Sequence, residues 1–474
     1  MVLMDSFLVY DVIFLILFGL FAFFILRKNR SSLKRQGWIF LYHTKVGLKL
    51  MDWASSKFEK VLKPLSYVVM TSGYILMGSI LWLISKTVWI YISSPIPEQL
   101  KNLPPIAPLI PYFPKLFGLE SFFPPLYFTY FLVALAIVAV SHEFAHGLFA
   151  RLWKIRVKTT GLAFFGPFFG AFVEPDEKQM ARAPKKHQLS VLAAGTFANI
   201  VMFILFGLIM WAFFVLSFAP TGIEFNAYAQ SVVNVSQITH VGNSSVLSVA
   251  TIPALAVEGL NKITANNKTY YAPKETLTAE ILAKYKQLPF FDDAPALREN
   301  IFGAITSIDG KLTRSQKELS DVLSNTVPGK TVIVTTFDKT KKEAHSYEVV
   351  LDEKKGIAYL GIGFYNNERG GFGGLINKGI SKVKNPNIYY SPTWDGDFVQ
   401  FIYDLLWWIV IINILVALMN MLPVSILDGG RFFYLTILGL TGSAKWAKKS
   451  YSWITWFILL LLAIMMAKWF LNLF

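Results

Sequence analysis

Residues 127–153 read YFTYFLVALAIVAVSHEFAHGLFARLW. At 1.5 Å per helical residue this stretch crosses a hydrocarbon layer of about 30 Å. Near its end stand two histidines and a glutamate. His142 and His146 are four residues apart, so one helical face presents both imidazoles to a single ion. Glu143 lies beside them, and a glutamate deep in a span costs about 2.5 kcal/mol or more unless something polar or ionic satisfies it. A bound zinc supplies that, with Glu143 as the base beside the metal. The competing reading is a polar cluster that only joins helices, but it leaves the glutamate without a counter-charge. With six histidines in the chain, the spacing H-E-x-x-H seldom arises by accident.

Working outward, the 474 residues are 54% apolar and 16% charged, with mean hydropathy +0.47. This excludes an ordinary soluble domain and points to several membrane spans. The net charge of +15 crowds beside apolar runs, where the positive-inside rule and anionic headgroups explain it; no nucleic-acid-binding module accompanies it, so no nucleic acid is expected as a partner. The chain has no cysteine, which removes disulfides, thiolate ligands and a cysteine nucleophile and leaves any metal to His, Asp or Glu.

Apolar runs at 6–26, 65–92, 127–153, 189–218, 398–422 and 451–474 give about six transmembrane helices. Basic clusters at Arg27, Lys28, Arg30, Lys34 and Arg35, at Arg151, Lys154, Arg156 and Lys158, at Arg182, Lys185 and Lys186, and at Lys445, Lys448 and Lys449 mark the cytoplasmic ends. The N-terminus is therefore expected outside. Residues 38–63, with lysines at 45, 49, 57, 60 and 63, read as a basic amphipathic helix on the inner surface. The Pro-rich stretch from Pro95 to Pro114 should be irregular, whether it shields the bundle or only connects it. TTGLAFFGPFFGAFVEP, residues 159–175, is too short to span and reads as a re-entrant hairpin or an interfacial loop. Four regions result: 1–64, with the first span and the inner-surface segment; 65–218, the core with the HExxH helix; 219–397, a soluble insert expected to be extracytoplasmic; and 398–474, the last spans.

The insert mixes strand-like runs such as 230–235 and 330–337 with helix patterns. Residues 292–325 give a turn, two strand-sized pieces around Asp309-Gly310, then an amphipathic helix. This order resembles a PDZ domain, which implies either capture of an extended peptide or a steric cap on the bundle. The fold class is thus a mainly α polytopic membrane protein with an inserted α/β PDZ-like extracytoplasmic domain. Sequons at Asn234, Asn243 and Asn267 agree with an external face.

Nine residues separate His142 from Arg151, which puts the ion roughly 13 Å below the inner surface. Catalytic zinc needs a third protein ligand and an open position. Asp428, in NMLPVSILDGGR after a span broken at Pro423 and before a flexible Gly429-Gly430 pair, is the first candidate; Glu174 and His187 are its rivals. Asn420 could offer its amide to a substrate carbonyl and its developing charge, or glue two helices. Asn199 in AAGTFANIV is open to the same two readings, and packing is favoured, with Gly195 on its face. His43, His240 and His345 read as ordinary polar residues.

HEFAH in one span, GTFAN in the next and NMLPVSILDGG in a later one resemble the site-2 protease family of intramembrane zinc metalloproteases. The resemblance implies one Zn2+ per chain held by His142, His146 and Asp428, with Glu143 catalytic and Asn420 near the substrate. It also implies transmembrane protein substrates in the lipid bilayer of the cell membrane, cut in regulated intramembrane proteolysis with the active site toward the cytoplasm. Two other readings stand beside it: a multi-span zinc protease that trims prenylated chain ends with a glutamate as third ligand, and a non-catalytic membrane scaffold with a structural metal and a peptide-binding external domain.

Overall fold

The computed structural model describes residues 2–28, 33–37, 39–93, 109–120, 123–165, 168–339, 341–364 and 384–471. Residues 94–108, which hold most of the Pro-rich connection, lie outside them. The chain divides into two compact units, 1–214 with 397–474, and 215–396.

In the first unit, α1 is Val2–Lys28, α2 Leu48–Lys57, α3 Glu59–Ser93, α4 Phe113–Leu116, α5 Phe128–Leu152, α6 Glu177–Arg182, α7 Lys185–Ser217, α8 Gly396–Asn420, α9 Asp428–Thr441 and α10 Ala444–Leu471. Six of these, α1, α3, α5, α7, α8 and α10, contain stretches long and apolar enough to cross a membrane. They carry the six apolar runs of the sequence. With no hydrophobic drive between helices in lipid, small residues set how closely such helices approach. A Cβ added at Gly73 of α3 would lie 3.0 Å from Ala193 Cβ of α7 and 3.1 Å from the Phe432 ring of α9. Val69, Ala145, Ala193, Ala194 and Phe432 form the buried centre around that approach.

The N-terminus of α5 is fixed by a carboxylate from another helix. Asp11 of α1, 2% exposed, accepts hydrogen bonds from Phe128 N at 2.6 Å, Thr129 N at 2.9 Å, Thr129 Oγ1 at 2.6 Å and Tyr112 OH at 2.8 Å. Orphan amides of a first helical turn and the positive end of the helix dipole both favour an anion there. Each such charge-assisted bond stabilises by about 1.5–3 kcal/mol.

Residues 38–63 depart from the single surface helix expected of them. Leu33–Gln36 (β1) and Ile39–Thr44 (β2) form an antiparallel hairpin, and β2 continues onto Val157–Phe165 (β3) with Tyr42 opposite Leu162. Ile39–Thr44, with Ile39, Phe40, Tyr42 and Thr44 all residues that favour strands, fits an inner strand better than a helix once β1 and β3 offer partners on both sides. Helix begins only after Gly47, at φ 85°, and Lys60 and Lys63 already belong to the long α3. The segment 159–175 is a hairpin: β3 pairs with Phe168–Pro175 (β4), Gly161 opposite Phe172. In the sheet order β1-β2-β3-β4, β4 is an outer strand.

The second unit holds two six-stranded sheets. One contains Ala304–Ile308 with the short Lys311–Leu312 beside it, then Thr331–Asp338 and Glu343–Val350. The Asp309-Gly310 turn has both residues at positive φ (47° and 75°), as a two-residue hairpin loop requires. The helix Gln316–Ser324 follows, capped by Ser315 accepting from Glu318 N at 3.1 Å. The other sheet spans residues 230–292 around its own core of Val233, Ile263, Ala272 and Phe290.

Candidate metal centre

α5 brings His142 and His146 onto one face, as their spacing requires. His142 Nε2 lies 3.0 Å from His146 Nε2, and both lie 3.2 Å from Asp428 Oδ2. These three ligand atoms are the His/Asp/Glu group, among the described residues, able to hold a metal ion. The donor chemistry fits zinc: two imidazoles and one carboxylate, with no lysine or arginine among them. Ligand atoms on a tetrahedral zinc with bonds of about 2.0–2.1 Å stand about 3.3 Å apart, close to the separations seen.

Asp428 is the first residue of α9, where the helix dipole favours its charge. The glycines behind it are not a flexible turn. Gly429 and Gly430 are helical and buried, and a Cβ at Gly429 would stand 2.6 Å from Leu422 O, one at Gly430 2.8 Å from the Val424 carbonyl carbon. They let the start of α9 press against residues 421–427, and that close approach carries Asp428 to the histidines.

Glu143 points to the edge of the sheet, where its Oε2 accepts from Val173 N of β4 at 2.9 Å. Gly147, one turn on, makes room for Met51 of α2, whose Cε would stand 2.8 Å from a Cβ there, and for Val173 Cγ1 of β4 at 3.3 Å. Glu143, His146 and Asp428 line one cavity of about 1100 Å3 with His43, Phe172 and Arg431. The rival ligands stand apart. Glu174 also lines this cavity, but its Oε2 accepts from Thr159 Oγ1 at 2.9 Å and its Oε1 lies 4.0 Å from Lys158 Nζ. His187 stacks on Trp153 with ring centroids 3.6 Å apart. Asn420 ends α8, half-buried, and its amide has no hydrogen-bond partner among the described residues.

Asn199 joins α7 to α5, and the group it meets there is a ring nitrogen of His142. It is fully buried and its Nδ2 lies 3.1 Å from His142 Nδ1. On the same stripe of α7, His146 Nδ1 faces Val191 O at 2.7 Å, and a Cβ at Gly195 would stand 2.6 Å from His142 Nε2. The glycine-to-asparagine spacing was the available signal; its partner was not, because the facing helix cannot be read from one strand of text. His43 lines the cavity as a polar residue, with Nδ1 3.0 Å from Thr159 Oγ1.

A sequence profile of peptidase family M50 matches residues 130–464, well over half the chain, and the chain belongs to this family of metallopeptidases. A 74-residue stretch is also 39% identical to an uncharacterized protein of Methanocaldococcus jannaschii, a match covering 15% of this chain and 20% of that protein's length.

Proposed function

We propose that the protein is an intramembrane zinc metalloprotease that hydrolyses peptide bonds within or near transmembrane helices of membrane-tethered proteins. The observation that carries this reading is the meeting of His142, His146 and Asp428 within a spanning helix bundle, with Glu143 on the wall of the same cavity. His142, His146 and Asp428 are the ligands of one Zn2+ per chain, which when bound polarises a peptide carbonyl and lowers the pKa of water. Glu143 takes the proton of the attacking water and passes it to the leaving nitrogen. Its hydrogen bond from Val173 N keeps the carboxylate aimed while leaving lone pairs for that proton. The unpartnered amide of Asn420 is available to hydrogen-bond the substrate carbonyl and the charge that develops on it.

A helical substrate hides its amides and must unwind before water can attack. β4, an outer strand beside Glu143, offers an edge for the unwound segment to join as a further strand. The insert acts outside the cell membrane as a PDZ-like module for extended peptides, supported by its strand–turn–helix–strand order and a cavity of about 580 Å3 that Phe225, Tyr228, Phe291 and Phe302 line. The basic flanks of the spans support an active site toward the cytoplasm, and membership of the family supports a part in regulated intramembrane proteolysis.

The test is cleavage of a model single-span substrate in detergent by wild type and Glu143→Gln, with the cut mapped by mass spectrometry. A cut within the apolar stretch by wild type alone supports the reading. Equal behaviour of the two proteins toward a substrate that is cut would return the chain to the scaffold reading.

A further inference from the structure

The stripe Val191, Gly195 and Asn199 runs along α7 at four-residue steps, so the three stand on one face. That face meets both ligand histidines. Val191 O faces His146 Nδ1 at 2.7 Å. A carbonyl can only accept, so His146 carries its proton on Nδ1 and keeps the Nε2 lone pair free, the usual arrangement for a metal-bound imidazole. His142 needs the same tautomer, because its Nε2 is the atom that converges with His146 Nε2 and Asp428 Oδ2. The polar group facing its Nδ1 is the Asn199 amide at 3.1 Å.

The orientation of that amide decides the outcome. With Nδ2 toward the ring, Asn199 donates to Nδ1, the ring proton moves to Nε2, and that nitrogen is lost to a metal. Turned by 180°, the amide has nearly the same shape and presents Oδ1, which accepts from Nδ1–H. Asn199 is fully buried, and its Oδ1 has no partner in the first orientation, so nothing in the surroundings holds the oxygen away from His142.

We propose that Asn199 is a positioning residue of the metal centre: its Oδ1 accepts from His142 Nδ1–H and fixes the Nε2-ligating tautomer, as Val191 O does for His146. The stripe thereby serves both rings from one helix, with Gly195 between the two acceptors to clear the imidazoles. This rests on the zinc reading of the site above.

The experiment measures zinc affinity by chelator competition for the full chain as wild type, Asn199→Asp and Asn199→Leu, together with the visible spectrum of each Co2+-loaded protein. Asp offers only acceptors at this position and Leu offers neither acceptor nor donor. Wild-type affinity within about threefold in Asn199→Asp, with a loss of about 10–100-fold and an altered Co2+ spectrum in Asn199→Leu, is expected. Leu equal to wild type, or Asp weakened as much as Leu, overturns the proposal. If Asn199→Leu does not fold, Asn199→Asp decides alone: a donor role for Asn199 requires Asp to lose zinc, and the acceptor role requires it to keep zinc. Absence of zinc from wild type itself would instead remove the site reading on which this rests.

Discussion

Two polar clusters sit on α5, and they differ in how completely they are satisfied. At its N-terminus, Asp11 is closed on all sides by four donors. Near its C-terminal end, the ring nitrogens of His142 and His146 and a carboxylate oxygen of Asp428 crowd within 3.2 Å of one another, and Glu143 has one hydrogen bond beside a cavity. In a medium of low dielectric a saturated carboxylate is scaffold, whereas an under-satisfied group of ligands is held ready for something else.

The largest effect expected is at Glu143. Glu143→Gln keeps the shape and the bond from Val173 but cannot act as base, so cleavage should fall by about 10²–10⁴-fold while zinc per chain stays at the wild-type value. A parallel loss of zinc would merge catalytic and ligand roles that the account keeps apart. Next is Asp11→Leu, which strands the amides of Phe128 and Thr129 at the buried end of α5. A loss of about 3 kcal/mol or more in unfolding stability is expected, with zinc affinity of the folded fraction unchanged. Weaker zinc in that fraction would break the division between the two clusters.

Gly195→Ala should add a loss of zinc to a smaller loss of stability. Its methyl group would meet Nε2 of both histidines, so on the proposed reading zinc affinity should drop by about 10–100-fold, while the folded state is destabilised by about 1–3 kcal/mol from overpacking. The smallest effect lies in the insert, at a carboxylate in water. The Lys330 ammonium, 2.7 Å away, and the Ile333 amide hold the Asp309 carboxyl below its ordinary value of 3.8. A pKa depressed on folding stabilises above the unfolded value and is lost as pH falls through the folded one. Asp309→Asn should therefore cost less than about 1 kcal/mol at neutral pH and nothing in strong acid, read from unfolding midpoints across that range.

Much of this was legible in the sequence for definite reasons. Spans declare themselves because lipid demands long uninterrupted apolar runs, and His142 and His146 because helical spacing fixes their common face. Asp428 stands out through its neighbours, although their role differs: Gly429 and Gly430 permit close packing of a helix rather than an unwound turn. The β1–β2 hairpin was hidden because Ile39–Thr44 becomes a strand only against β3, more than a hundred residues on. Asp11 carries a signal of its own, a single carboxylate inside an apolar run, but its partners on α5 are a tertiary fact. Asn199 could be placed on a face from its spacing, but what that face meets is a tertiary fact.

The central claim is that the under-satisfied cluster is a metal centre, and metal analysis of the purified chain tests it most directly. Zinc should be found at about one per chain in wild type and in Glu143→Gln, and be lost with Asp428→Ala. Wild-type protein without zinc, or Asp428→Ala with its zinc intact, would contradict the account.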